Sequence, residues 1–433
     1  MGTLDTERDE GQESPAWCAL DRFLKGLHHG PWSFVQLRGE SLCSSAIDDD
    51  DVDLLGSRES VDALVEACFA WTREGHGHFR IQARRAHKTE LTLYSVDGRH
   101  RVLFDLWIEL PQLGEEKRVL TYPDCLEILD PHAGAIQRLP LEAEACVYLQ
   151  HLAAKGKDLT SSRVQSRLAH YCQALREENK DCLHQHLESI RKMKRMSSEA
   201  IRYSYDRLRE LLGRRSEDFP RWKRPSVGQR MREGMVAAPR RLCLLSIMGC
   251  DGAGKSTLAD HIVDGSSRVR RVFTGKHLYR KSILYKLAVI FIRPLTFQSR
   301  ERFDELLAPM VYLRASLGLI VKWVRWRKEV TLIDRSLVDF LYLDRKTDAP
   351  RFARSRWLTH FFGHRIPTIH CVVRFDRIRE RKDEMTASGH KAYDNAMFQH
   401  HANRRPTDYL CFNNDLSLEE AHPALARIID GLE

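Results

Sequence analysis

Nine consecutive residues constrain this chain more than any other feature: Gly249-Cys250-Asp251-Gly252-Ala253-Gly254-Lys255-Ser256-Thr257. A short apolar run without polar alternation, 242–247, precedes them and reads as a strand buried on both faces. Thr257, Leu258, Ile262 and Val263 follow at helical spacing. The segment is therefore a strand-to-helix turn, and it matches G-x-x-x-x-G-K-[ST] at every fixed position. Its glycines let backbone N–H groups turn inward, and the helix N-terminus adds partial positive charge. Gly249, Gly252, Ala253, Gly254, Lys255, Ser256 and Thr257 would form a cradle for a polyphosphate. Lys255 would reach the β- and γ-phosphates and Ser256 would ligate Mg²⁺. A Gly-rich turn with no ligand would fit the bare pattern, but the flanking strand and helix argue against it.

The organisation around this turn predicts an α/β protein in three regions. In 240–433, apolar runs at 330–333 and 368–373 alternate with helical stretches, which predicts a parallel sheet covered by helices. In 1–136, short strands and helices mix in an α+β pattern. Residues 79–110 alternate with period two, and Asp97-Gly98 between 90–95 and 101–108 is a hairpin signal. In 137–236, Pro140 suits a first helical position, Leu141, Ala145, Tyr148, Leu149 and Leu152 follow the helical period, and Gly156 can end the helix. Pro220, Pro225, Gly228, Gly234 and Pro239 then mark a linker.

Composition sets the outer limits. The chain has 433 residues, 30% charged and 42% hydrophobic, so it can bury a core and suits two or three domains. The stretch 186–241 carries an excess of basic over acidic residues equal to the whole net charge, +9. Such a block could bind nucleic acid or an anionic surface. It has little aromatic interleaving, so a solvated helical face and basic linker is the favoured reading. Eleven cysteines without a C-x-x-C pair argue against a disulfide framework and for a reducing compartment. The polar N-terminus has no apolar signal core. The longest apolar run, 287–292, is far short of the roughly 20 residues of a membrane span. A cytoplasmic location is expected, with assembly up to a homodimer left open.

The loop resembles the G-x-D-G-x-G-K-S-T loop of thymidylate kinases. That resemblance implies a P-loop NTPase fold for 240–433, ATP and Mg²⁺ as cofactors, and Asp251 near the sugar of an acceptor nucleotide. Further along, Asp334-Arg335-Ser336 ends an apolar run and is similar to the family's D-R-Y motif. The resemblance implies that Asp334 holds Mg²⁺ through water and that Arg335 clamps the acceptor phosphate. Deoxynucleoside kinases carry E-R-S there, so the acceptor's identity stays open. Arg379, Arg381 and Lys382 resemble the family's closing lid, which neutralises charge on the transferring group. Asn413-Asn414-Asp415 resembles its last strand-to-helix turn, near the adenine. In place of the R-E-P-G segment stands a basic patch with Lys276, Arg280 and Lys281.

A second set of acids lies in the first region. Asp51 and Asp53 are two apart, with Val52 and Leu54 between and after them. On a strand this puts both acids on one face. Asp105 interrupts the apolar run 102–108 and needs a partner, which a metal shared with Asp51 and Asp53 would supply. Together with Gly39 the acids resemble the nucleotidyltransferase superfamily, whose h-G-[GS] and D-h-[DE]-h elements imply a two-metal site. Glu40 follows Gly39 here in place of the family's small residue.

The sequence thus leads to an ATP-dependent phosphotransferase with a nucleotide-like acceptor and an attached nucleotidyltransferase-like region. Three alternatives stay open: an ATP-binding regulatory protein, a kinase of a nucleoside or other hydroxyl acceptor, and a nucleic-acid binder acting through 186–241.

Overall fold

The computed structural model describes residues 15–38, 51–114, 117–129, 134–215, 218–222, 244–264, 269–273, 286–287, 290–291, 330–334, 367–381, 386–402 and 408–430. Along the chain come α1 (Pro15–Gly26), β1 (Phe34–Arg38), β2 (Val52–Gly56), α2 (Arg58–Arg73), β3 (Gly77–Arg84), β4 (Lys88–Ser95), β5 (Arg101–Trp107), β6 (Glu109–Leu113), β7 (Arg118–Thr121), α3 (Tyr122–Cys125) and β8 (Ile136–Arg138). Four helices follow: α4 (Leu141–Ala154), α5 (Ser162–Glu177), α6 (Asp181–Arg191) and α7 (Ser198–Leu211). The last part holds β9 (Leu244–Met248), α8 (Lys255–Asp264), β10 (Val269–Phe273), β11 (Val330–Asp334), β12 (Thr368–Val372), α9 (Phe375–Arg381), α10 (Ala387–Ala402), β13 (Tyr409–Asn413) and α11 (Leu418–Asp430).

Local chemistry accounts for several of these elements. Helix α2 starts where the Ser57 side chain accepts from the Ser60 amide at 3.1 Å, an N-cap. Its buried stripe, Val61, Leu64, Val65, Cys68 and Phe69, keeps the helical period. The 97–98 turn closes a hairpin between β4 and β5. Gly98 takes φ +70°, and Asp97 Oδ1 accepts from the Arg99 amide at 3.1 Å. A side chain at Gly98 would meet the Ala424 carbonyl oxygen of α11 at 2.8 Å, so the hairpin tip lies directly on that helix.

The protein is α/β, and among the described residues it is built on a mixed sheet of 11 strands in the order β10-β11-β9-β12-β13-β3-β4-β5-β2-β1-β8. From β10 to β13 every pairing is parallel. Strand β13 then pairs antiparallel with β3, Tyr409 opposite Ile81 and Cys411 opposite Phe79. That pairing joins the strands of the last region to those of the first in one sheet. The seam is reinforced on both sides. Phe69 stacks on Phe398 at 4.2 Å, His78 stacks on Phe412 at 4.3 Å, and Arg80 Nε donates to Asp408 Oδ1 at 2.6 Å.

Two cores flank the sheet. Val52, Leu54, Phe104 and Leu106 face a core shared with α1, α2 and the last region. Leu55, Val35 and Trp107 face the other, filled from α4, α5, α6 and α7. Strand β2 is buried along its whole length, so Asp53, on the Leu55 side, lies under the helical layer. Several arginines of the basic stretch are paired: Arg191 with Glu188, Arg207 with Glu142 and Arg209 with Asp206. Among the described residues, no helix is long and apolar enough to cross a membrane.

Candidate functional site

The phosphate-loop motif lies between β9 and α8, at the C-terminal end of the parallel strands. In open α/β sheets this is where ligands bind. Gly249, Gly252 and Gly254 have φ of +150°, +91° and +75°. Side chains rarely adopt such angles. A Cβ on Gly249 would also meet the Cys371 carbonyl oxygen at 2.5 Å. The first helical bond runs from the Leu258 amide to the Gly254 carbonyl at 3.0 Å. The amides of Lys255, Ser256 and Thr257 precede that ladder, at the positive end of α8. Ser256 and Thr257 are exposed, while Asp251, Ala253 and Lys255 are buried.

Lys255 curls back, its Nζ donating to the Cys250 carbonyl inside the loop. Two residues from other elements reach the same turn. Asn414, just after β13, donates from Nδ2 to the Ala253 carbonyl at 2.7 Å. Arg381, at the end of α9, has Nη1 3.5 Å from the Gly252 carbonyl. Arg379 is exposed on the same short helix. Arg374 closes the base of this arrangement by donating from Nε to Asp415 Oδ2 at 2.8 Å.

Asp334 ends β11, the strand paired with β9, and its side chain is fully buried. Arg271 of β10 donates to it from Nε at 3.1 Å and again from Nη2. Arg271 also pairs with Asp260 of α8. The resemblance assigned Asp334 to a hydrated metal, and the fold sets an arginine on it as well. Nothing local in the sequence signals this, because β10 and β11 meet only through the sheet. Arg335, Lys382 and the basic patch with Lys276, Arg280 and Lys281 lie outside the described residues, as does Gly39.

The acids of the first region also converge. Strands β2 and β5 run parallel with Asp53 opposite Asp105. Trp107 Nε1 donates to Asp53 Oδ1 at 2.9 Å, while Asp51 is exposed at the mouth of β2. The partner that Asp105 requires is a lysine. Lys88 Nζ stands 2.6 Å from Asp105 Oδ2, 3.3 Å from Glu90, and 4.7 Å from the Trp107 ring centroid. Burial pushes the Asp105 carboxyl up to about 6; Lys88 opposes that rise and Asp53 adds to it. A shared metal was the expected partner; Lys88 is found instead because β4–β5 pairing sets it opposite Trp107, two residues along from Asp105, within reach of that carboxylate.

No family model matches the chain. No curated protein matches it either. Among solved structures, a thymidylate kinase from Candida albicans is similar at 16% identity with a TM-score of 0.32, over 43% of this chain and 91% of the other. A thymidylate kinase from Ehrlichia chaffeensis is similar at 15% identity with a TM-score of 0.26, over 44% of this chain and 98% of the other. The likeness to both is remote and covers less than half of the chain.

Proposed function

We propose that this chain is an ATP-dependent phosphotransferase that moves the γ-phosphoryl group of Mg·ATP to a nucleotide-like acceptor. The observation that carries the reading is the turn at 249–257. It combines three glycines at positive φ, a lysine at the first position of α8, and first-turn amides that precede the helical ladder. The donor set suits Mg·ATP. The loop amides and Lys255 would hold the β- and γ-phosphates, and Ser256 and Asp334 the cation. Bound Mg·ATP supplies the transferable phosphoryl group. Lys255 would exchange the Cys250 carbonyl for a phosphate oxygen, a stronger, charge-assisted partner. Asp334 would divide its charge between Arg271 and the cation's water shell. Arg381 lies over the Gly252 carbonyl, so a small motion of α9 would bring its guanidinium toward the transferring group. Positioning and charge neutralisation then do most of the catalysis. Asp251 and Arg335 are the candidates for orienting the acceptor.

The test is thin-layer separation of labelled ATP after incubation with nucleoside monophosphates, nucleosides and sugars. Transfer to one acceptor class is expected. Lys255→Ala should lower that turnover by about 100-fold or more while leaving the thermal melt nearly unchanged, because the Cys250 carbonyl keeps the Ala253 amide as a donor. A protein that binds ATP yet never consumes it with any acceptor would instead be a nucleotide-gated regulator.

Asp53 and Asp105, side by side on β2 and β5, favour a second reading: a divalent-cation site for nucleotidyl transfer in the first region. Lys88 would then release Asp105 to the cation. Asp53→Asn should abolish any nucleotidyl transfer and leave phosphoryl transfer intact. Loss of both would mean that the two sites act through the shared sheet.

A further inference from the structure

Beneath the phosphate loop, on the side facing the core, lies a polar cluster that the phosphotransferase reading does not use. His390 and Asp394 are four residues apart on α10, so they share one helix face. Cys250 is the second residue of the loop. All three are buried, Asp394 and Cys250 completely. One potential ligand atom from each lies within 4.8 Å of the other two. His390 Nε2 stands 3.1 Å from Asp394 Oδ2, and His370 Nε2 of β12 stands 3.4 Å from Asp394 Oδ1. Despite this proximity, neither oxygen of Asp394 nor either Nε2 has a hydrogen bond.

A fully buried carboxylate with both oxygens outside any hydrogen bond is costly unless a cation compensates it. Atoms that converge in this way suit coordination better than hydrogen bonding. The orientation of His370 agrees. Its Nδ1 is 2.8 Å from the Tyr409 hydroxyl. In the tautomer in which Nδ1–H donates to that hydroxyl, Nε2 keeps a lone pair for a cation, the arrangement that outer-shell partners give metal-bound histidines.

We propose that Cys250, His390 and Asp394 form a buried binding site for a zinc-like divalent cation, with His370 available to complete four-coordination. One thiolate, one carboxylate and neutral imidazoles balance a dipositive ion, and sulfur with nitrogen and oxygen donors is a zinc set rather than a magnesium set. Ligand atoms around a tetrahedral zinc lie about 3.3–3.8 Å apart, given zinc–ligand distances of roughly 2.0–2.3 Å. Small side-chain adjustments therefore close the cluster on the ion. The ion would pin the phosphate loop to α10 from below. It is a structural centre, distinct from the Mg²⁺ that accompanies ATP.

The experiment uses the full chain, without a histidine tag. Metal content is measured by mass spectrometry after purification in zinc-containing buffer, and the chelator-stripped protein is titrated with Co²⁺. About one zinc per chain is expected, displaceable by one Co²⁺ that shows intense tetrahedral d–d bands and a near-ultraviolet thiolate-to-cobalt band. Cys250→Ser should remove the near-ultraviolet band, and Asp394→Asn should weaken Co²⁺ affinity at least 10-fold. Tyr409→Phe, which removes the hydroxyl beside His370 Nδ1, should weaken it about 10-fold. Natively folded wild-type protein that neither retains zinc nor gives a thiolate–cobalt band overturns the proposal, as does a band that persists in Cys250→Ser. The wild-type spectra decide the matter even where a variant fails to fold.

Discussion

Asn414 shows how much of the phosphate turn rests on residues far from it in sequence. Its amide nitrogen donates to the Ala253 carbonyl at 2.7 Å, while its backbone N–H donates to the Val372 carbonyl at 2.8 Å. The side chain therefore ties the loop to the ends of β12 and β13. Asn414→Ala leaves a buried carbonyl without that donor, a loss of about 1–3 kcal/mol. The loop should loosen, so nucleotide affinity measured by calorimetry should fall along with the melting temperature. Unchanged affinity would mean that the loop keeps its shape from its own glycines. The residues of 249–257 were legible because a phosphate turn is written in contiguous sequence. Asn414, Arg271 and Lys88 were not legible in these roles, since each owes its contact to strand pairing or packing across the fold.

At the scale of elements, the β4–β5 hairpin does more than close two strands. Its tip packs on α11, where Arg427 Nη1 donates to the Asp97 carbonyl at 2.7 Å. Gly98 has both a positive φ and a helix carbonyl at the place where a side chain would begin. Gly98→Ala should thus cost more than the about 1–2 kcal/mol of a left-handed backbone alone. Chemical denaturation would measure it. A neutral outcome would show that the tip can lift from α11 without loss. The hairpin itself was readable from Asp97-Gly98 and the alternating residues on either side. Its docking on α11 was not, because turn chemistry is local and a docking partner is not. Strand β2 makes the same point about faces. Alternation predicts that Asp51 and Asp53 share a side, but it cannot say that α4–α7 bury the side that Asp53 occupies.

At the scale of the whole molecule, the seam between β13 and β3 makes the fold one sheet, and His78 lies in it. The Asn413 amide donates to His78 Nδ1 at 3.0 Å, which leaves the protonated Nε2 to donate to the Val96 carbonyl at 2.8 Å. The ring is therefore neutral, and burial pushes its pKa down to about 4 from 6.5. Between those values the unfolded chain binds the extra proton, so stability is present above pH 6.5 and is lost as pH falls toward 4. His87, also lowered to about 4 by burial, acts in the same direction. Asp105, raised to about 6, acts in the opposite one: its folded form holds a proton that the unfolded chain has released, so its contribution is lost as pH rises toward 6. Gln at position 78 can accept and donate as the imidazole does, but it never charges. Comparing wild type with His78→Gln isolates one proton, about 1.4 kcal/mol per pH unit and roughly 3 kcal/mol over the window. Denaturation at several pH values should show the wild type losing that much more on acidification. Parallel pH profiles would place the acid sensitivity elsewhere.

The sequence by itself determined the features whose physics is local. These are a glycine turn between a buried strand and a helix, capped and periodic helices, and a hairpin written by its turn residues. It also carried the composition that allows a large core. The tertiary structure alone decided that β13 pairs with β3, that Arg271 sits on Asp334 and Lys88 on Asp105, and that Cys250 meets His390 and Asp394. Each of these depends on which strand edges meet and on which helix covers which face. Backbone hydrogen bonds are the same for every strand, so the choice of partner comes from the burial of side chains over the whole chain, which no short stretch of sequence contains.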